Sequence, residues 1–183
     1  MSITLYSTLL ALWSLMLGVW MILSFILFFV SPSIQKRLRS ISYGHAIGLI
    51  ALVASGAVIA TLIYQFYYLV PVCSLCWWQR IFLFPIAIVA VVSSWKNIRE
   101  NTIIITVLAF LGLLFSSYHS VLQLMKIFER DRGMITICDA SGVSCSEYGD
   151  VLIFWFMTIP FMGLVLFGSI MILSFLVRRT HIQ

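Results

Sequence analysis

The sequence predicts an all-α integral membrane fold with five spanning helices, and three observations carry that prediction. Residues of the hydrophobic set make up 62% of the 183-residue chain and charged residues only 9%, with a mean hydropathy of +1.11. A soluble domain carries about 25% charge and about 45–50% apolar residues. The apolar residues also fall into five runs, each long enough to cross about 30 Å of hydrocarbon, which takes about 20 residues of helix. Finally, the runs are apolar all round, without the alternation over about 10 residues that a closed barrel shows. The formal charge of +5 suits the anionic cytoplasmic face of a membrane and, with so few charges in total, gives no basis for a nucleic-acid partner.

The first run, Leu5 to Val30, has no basic residue ahead of it and is followed by Lys36, Arg37 and Arg39. It exceeds the roughly 7–15 apolar residues of a leader peptide, so it reads as a retained helix. The second run, Gly44 to Val70, is closed by Pro71. The third, Trp77 to Trp95, contains Pro85, and the fifth, Val151 to Val177, contains Pro160. Each proline removes a backbone donor and is expected to kink its helix. The fourth run is Thr102 to Met125.

Basic residues set the orientation. Lys36, Arg37 and Arg39, then Lys96 and Arg99, then Arg178 and Arg179 occupy three places that five crossings put on one side, which the positive-inside rule makes cytoplasmic. The N-terminus and the connections 71–76 and 126–150 then face outward. The second connection carries Lys126, Arg130 and Arg132, against seven basic residues inside, and it also holds five acidic residues.

All four cysteines lie in the outward connections, where disulfides persist. Cys138 and Cys145 flank a turn-like Asp139-Ala140-Ser141-Gly142 and would serve equally well as a structural staple. Cys73-Ser74-Leu75-Cys76 is a C-x-x-C, a spacing shared by redox motifs and zinc sites. Position favours redox chemistry: Cys76 falls at or near a helix N-terminus, where unpaired N–H groups and the helix dipole stabilise a thiolate.

Arg80 follows Cys76 by four residues, on the same helix face and about 6 Å further along the axis. An isolated arginine there could simply snorkel to the headgroups. The topology, however, puts Gln65, Arg80, His119 and Gln123 in one outer layer. Polar groups at membrane depth are costly and point to a function when they face inward. Three helices converging beside a C-x-x-C predict a pocket for a polar-headed, apolar-tailed molecule such as a quinone, although His119 and Gln65 taken singly also suit packing roles. Trp77, Trp78, Tyr64, Tyr67 and Tyr68 read as an interfacial aromatic belt.

Cys73-Ser-Leu-Cys76-Trp-Trp-Gln-Arg80 resembles the C-x-L-C-x-x-x-R signature of the disulfide bond formation protein B family (DsbB, with its BdbC branch), and Tyr118-His119 with Gln123 resembles that family's third core helix. The likeness runs from about Tyr43 to Arg179. It implies a four-helix core over 43–183, with residues 1–42 as an added helix and its cytoplasmic connection. It also implies a thiol:quinone oxidoreductase of the bacterial inner membrane, using ubiquinone or menaquinone and reoxidising a DsbA-like, thioredoxin-fold thiol oxidase outside the cytoplasm. Carried over by position, the partner attacks Cys138, Cys145 engages Cys73, and Cys76 faces the quinone beside Arg80, with His119, Gln123 and Gln65 nearby. The short gap between Cys138 and Cys145 resembles the BdbC branch. Two competing readings are a non-enzymatic protein whose four cysteines bind zinc and a transporter with stapled loops; the second would need a polar path across the whole membrane.

Overall fold

The computed structural model describes residues 3–30, 43–98, 100–127 and 158–179. They form five helices: α1 (Ile3–Val30), α2 (Tyr43–Phe66), α3 (Ser74–Lys96), α4 (Asn101–Ile127) and α5 (Ile159–Arg179). No strand occurs among the described residues. Four of the helices hold a stretch of 18 or more residues apolar enough to cross a bilayer, and α5 holds a shorter apolar run, Ile159–Phe175. The protein is a multi-pass membrane protein, as its composition predicts. The connection that carries Cys138 and Cys145 lies outside the described residues.

Direction alternates along the chain. The start of α1 meets the end of α2, where the Tyr64 hydroxyl donates to Ser7 Oγ at 2.9 Å. The start of α3 meets the end of α2 on one side and the end of α4 on the other, through Arg80 and Gln79. Outward from this bundle point large apolar side chains such as Trp13, Met16, Leu52, Ile88 and Val107, all exposed. Water would not tolerate such a continuous apolar surface, whereas lipid requires one.

The packed core occupies the half of the bundle remote from the cysteines. Ile47, Ile50, Ile86, Ile105 and Ile170 are fully buried there, with Ala54 and Ala90 between them, and Phe167 is 1% exposed. Gly112 makes this packing possible. A β-carbon at that position would come within 2.4–2.6 Å of the Phe167 ring.

Three local features differ from the sequence expectation. α2 ends at Phe66 rather than Val70: Leu69 adopts φ 52° and breaks the spiral before Pro71 is reached. α3 begins at Ser74, earlier than Trp77. Pro160 is the second residue of α5, not an interior kink. In the first turn its missing N–H has no helical acceptor to lose, so the proline starts the helix instead of bending it.

Candidate functional site

Cys73 is the N-cap of α3, extended at φ −74° and ψ 166°, and its sulfur accepts the backbone N–H of Cys76 at 3.4 Å. The N-cap normally takes a small oxygen acceptor that satisfies one of the free N–H groups of the first turn, and here a sulfur does so. Cys73 and Cys76 are both free thiols, their sulfurs 3.0 Å apart. Cys73 is only 5% exposed, and Cys76 is partly so. A hydrogen bond from the Cys76 thiol lowers the Cys73 pKa to about 4; burial opposes the shift, while His119 and the Cys76 backbone N–H reinforce it. The anion-stabilising helix start that the sequence assigned to Cys76 therefore serves Cys73. Cys76 lies one turn in.

His119 Nε2 is 3.8 Å from the Cys73 sulfur, and His119 Nδ1 is 3.3 Å from Gln79 Nε2. With the Gln79 amide donating to Nδ1, the neutral ring carries its proton on Nε2, the nitrogen that faces the sulfur. His119 and Gln79 are both buried. The sequence reading passed over Gln79 as a site residue. Its signal was available: a polar side chain at i+3 from Cys76, inside an apolar run.

Arg80 does not snorkel. It is 7% exposed, donates to Gln65 Oε1 and, through Nη2, to the Thr61 carbonyl at 3.1 Å, and lies over the Trp77 ring at 5.5 Å. Glu100, at the far end of α3, is the single acidic residue among those described, so no carboxylate there neutralises the guanidinium. Among the described residues, the groups able to carry negative charge beside Arg80 are the two sulfurs.

Beside this cluster opens a cavity of about 200 Å³, lined at its outer end by Tyr64, Cys76, Gln79 and Arg80 and deeper by apolar side chains such as Val53 and Leu83. An apolar cavity of about 150 Å³ holds benzene, so this one has room for a six-membered ring. Of the predicted quinone contacts, Arg80 lines the cavity. Gln65 holds Arg80 from behind, His119 faces Cys73, and Gln123 is buried on α4; none of these three is in the lining. Cys138 and Cys145 lie outside the described residues. Cys73, Cys76 and His119 also place two sulfurs and a nitrogen within 4.8 Å of one another, a donor set suited to a soft divalent metal.

The family model for disulfide bond formation protein DsbB matches residues 44–177. The chain belongs to the DsbB family. It is 34% identical over 106 residues to a probable disulfide formation protein of Coxiella burnetii, covering 58% of this chain and 67% of that one. It is 32% identical over 98 residues to the SPbeta prophage-derived disulfide bond formation protein B of Bacillus subtilis, covering 54% and 62%. A probable disulfide formation protein C 2 of Bacillus anthracis is 29% identical over 124 residues, covering 68% and 84%. No solved structure matches the chain. This DsbB-family member is thus a membrane protein of disulfide bond formation, with oxidoreductase chemistry. α1 lies wholly outside the matched residues.

Proposed function

We propose that the protein is a thiol:quinone oxidoreductase that reoxidises a DsbA-like, thioredoxin-fold dithiol oxidase on the outer side of the membrane. The single observation that carries this reading is the division of the C-x-x-C between two surroundings. Cys76 opens onto the ring-sized cavity with Arg80, while Cys73 sits outside its lining, capped and facing His119. This division supports Cys76 as the sulfur that faces the acceptor and leaves Cys73 as the one that exchanges with thiols.

A quinone bound in the cavity would supply a two-electron, two-proton acceptor. Arg80 and Gln79 are the residues that would orient its oxygens, and Tyr64 closes the outer end. Thiol exchange brings the electrons in. The partner's thiolate attacks the Cys138–Cys145 disulfide at Cys138 and expels Cys145, and Cys145 attacks the Cys73–Cys76 disulfide at Cys73 and expels Cys76 as a thiolate stabilised by Arg80. The partner's second thiol then displaces Cys138 and leaves with the partner as its disulfide, and Cys138 attacks Cys145, which re-forms Cys138–Cys145 and frees Cys73. When the electron pair departs, the Cys73–Cys76 disulfide closes again. Its two sulfurs are already adjacent, and Cys73 is ionised at neutral pH. The balance is a dithiol oxidised to a disulfide with loss of two electrons and two protons. A partner poised near about −120 mV, as a DsbA is, needs an acceptor of higher potential, and a bilayer quinone is the acceptor class that fits.

The test uses purified protein, a reduced thioredoxin-fold dithiol protein and a quinone, followed by quinone absorbance. Cys73→Ser and Cys76→Ser should each abolish quinone reduction, and Cys138→Ser should chiefly abolish electron entry from the partner. Normal turnover by Cys76→Ser would remove the mechanism. The Cys73, Cys76 and His119 donor set favours a second reading, metal binding by the reduced pair. Stoichiometric zinc in the purified protein, lost on His119→Ala, together with no quinone reduction, would favour it.

A further inference from the structure

We propose that α1, the helix outside the family match, is a working wall of the acceptor cavity and sets which quinone tails the site accepts, an inference that rests on the quinone reading above. Leu10, Trp13, Ser14 and Leu17 line the cavity at positions i, i+3, i+4 and i+7, one unbroken stripe of the helix. The stripe extends about 10 Å along the axis, leading from just beyond the Ser7–Tyr64 contact toward the middle of the bilayer. Opposite it stands Gly56 of α2, where a β-carbon would meet nothing within 4 Å. Gly56 is itself exposed, so the cavity is open on this side, away from the polar end, and the apolar tail of a headgroup held by Arg80 would extend there.

The wall is fixed in place. Besides the Tyr64–Ser7 hydrogen bond, the Tyr6 hydroxyl donates to the Ala60 carbonyl at 3.3 Å, and the Tyr6 and Tyr64 rings pack edge to face with centroids 5.1 Å apart. Ser7 and Ala11 are fully buried. Lower down, Gly18 lets α1 approach α5, since a β-carbon there would come within 3.1 Å of Val165. Without α1, the lining contributed by α2, α3 and α5 would lie open to lipid. Trp13 belongs to the lining and is still 59% exposed, so it stands at the boundary between cavity and membrane, where a lipid-borne quinone would enter.

Two measurements on the full chain test this. The first compares a tail-less benzoquinone with the same ring carrying several isoprene units, in wild type and in Leu17→Trp, which narrows the deep end. The ratio of the KM for the tailed quinone to that for the tail-less one should rise about tenfold. An unchanged ratio would overturn the proposal. The second needs no variant: a quinone with a photoreactive group on its tail is irradiated with the wild-type protein and the labelled peptides are identified. Label within residues 10–17 is expected, and label confined to α2–α5 would overturn the role of α1. If wild type reduces neither quinone, the quinone reading itself has failed, and this outcome differs from an unchanged KM ratio in an active enzyme.

Discussion

At the scale of single residues, the chemistry turns on one sulfur being an anion before any partner arrives. Cys73 ionises at about 4, against 9.0 for an ordinary thiol, because the Cys76 thiol, His119 and a backbone N–H all point at it. Its folded-state pKa is depressed, so the thiolate is present from above about pH 5 upward and is lost as the pH falls through 4. Titrating the ultraviolet thiolate absorbance of the reduced protein should show one sulfur ionised throughout the neutral range, a signal absent in Cys73→Ser. In His119→Ala the midpoint should move upward, because a stabilising contact to the anion is gone. Arg80 makes a separate prediction. Removing a charge-assisted contact worth about 1.5–3 kcal/mol should raise the KM for quinone by about 10–100-fold in Arg80→Ala and leave the KM for the thiol partner nearly unchanged. Equal changes in both would mean that Arg80 supports the fold and not the acceptor.

At the scale of elements, the existence and order of the helices could be read from the sequence because hydropathy over about 20 residues is a strong signal. Their ends could not, because a few backbone angles and caps decide them. Leu69 takes a left-handed φ that nothing in its identity announces, and α2 stops four residues short of the predicted end. The cap at Cys73 moves the helix start by three residues and transfers the anion site from one cysteine to the other. Pro160 was legible as a proline, but whether it starts or bends a helix depends on where α5 begins. Gln79 was legible as a polar residue at i+3 from Cys76, but its contact with His119, 40 residues away in sequence, was not. Packing yields a prediction of its own. Gly112→Ala forces a methyl group into the Phe167 ring and should destabilise the protein by about 1–3 kcal/mol, seen as a lower thermal midpoint in detergent. Pairing it with Phe167→Leu, which clears that space, should restore much of the loss.

At the scale of the whole molecule, the bundle is asymmetric across the membrane. The half near the cysteines holds the polar layer and the cavity, which reaches down to Leu83 and Phe167, and the other half is packed largely with isoleucine and alanine, with Ser93 and Ser174 also buried. That asymmetry suits a device which takes electrons from one aqueous side and passes them sideways into the bilayer. The orientation rests on the distribution of basic residues. A membrane-impermeant maleimide added to intact cells should label reduced Cys138 and Cys145, and labelling only after the membrane is opened would invert the topology. The role of α1 was beyond reach of the sequence because its apolar residues look alike on every face. Only the bundle shows that one stripe, Leu10 to Leu17, turns toward the site.

The central claim is that electrons from the C-x-x-C leave through the cavity to a quinone. Anaerobic titration of the fully reduced protein with quinone, counting free thiols and quinol together, tests it most directly. The account predicts one quinol formed for each pair of thiols lost, and none in Cys76→Ser. Quinol formed with the thiols still free, or disulfide formed with the quinone unreduced, would contradict it.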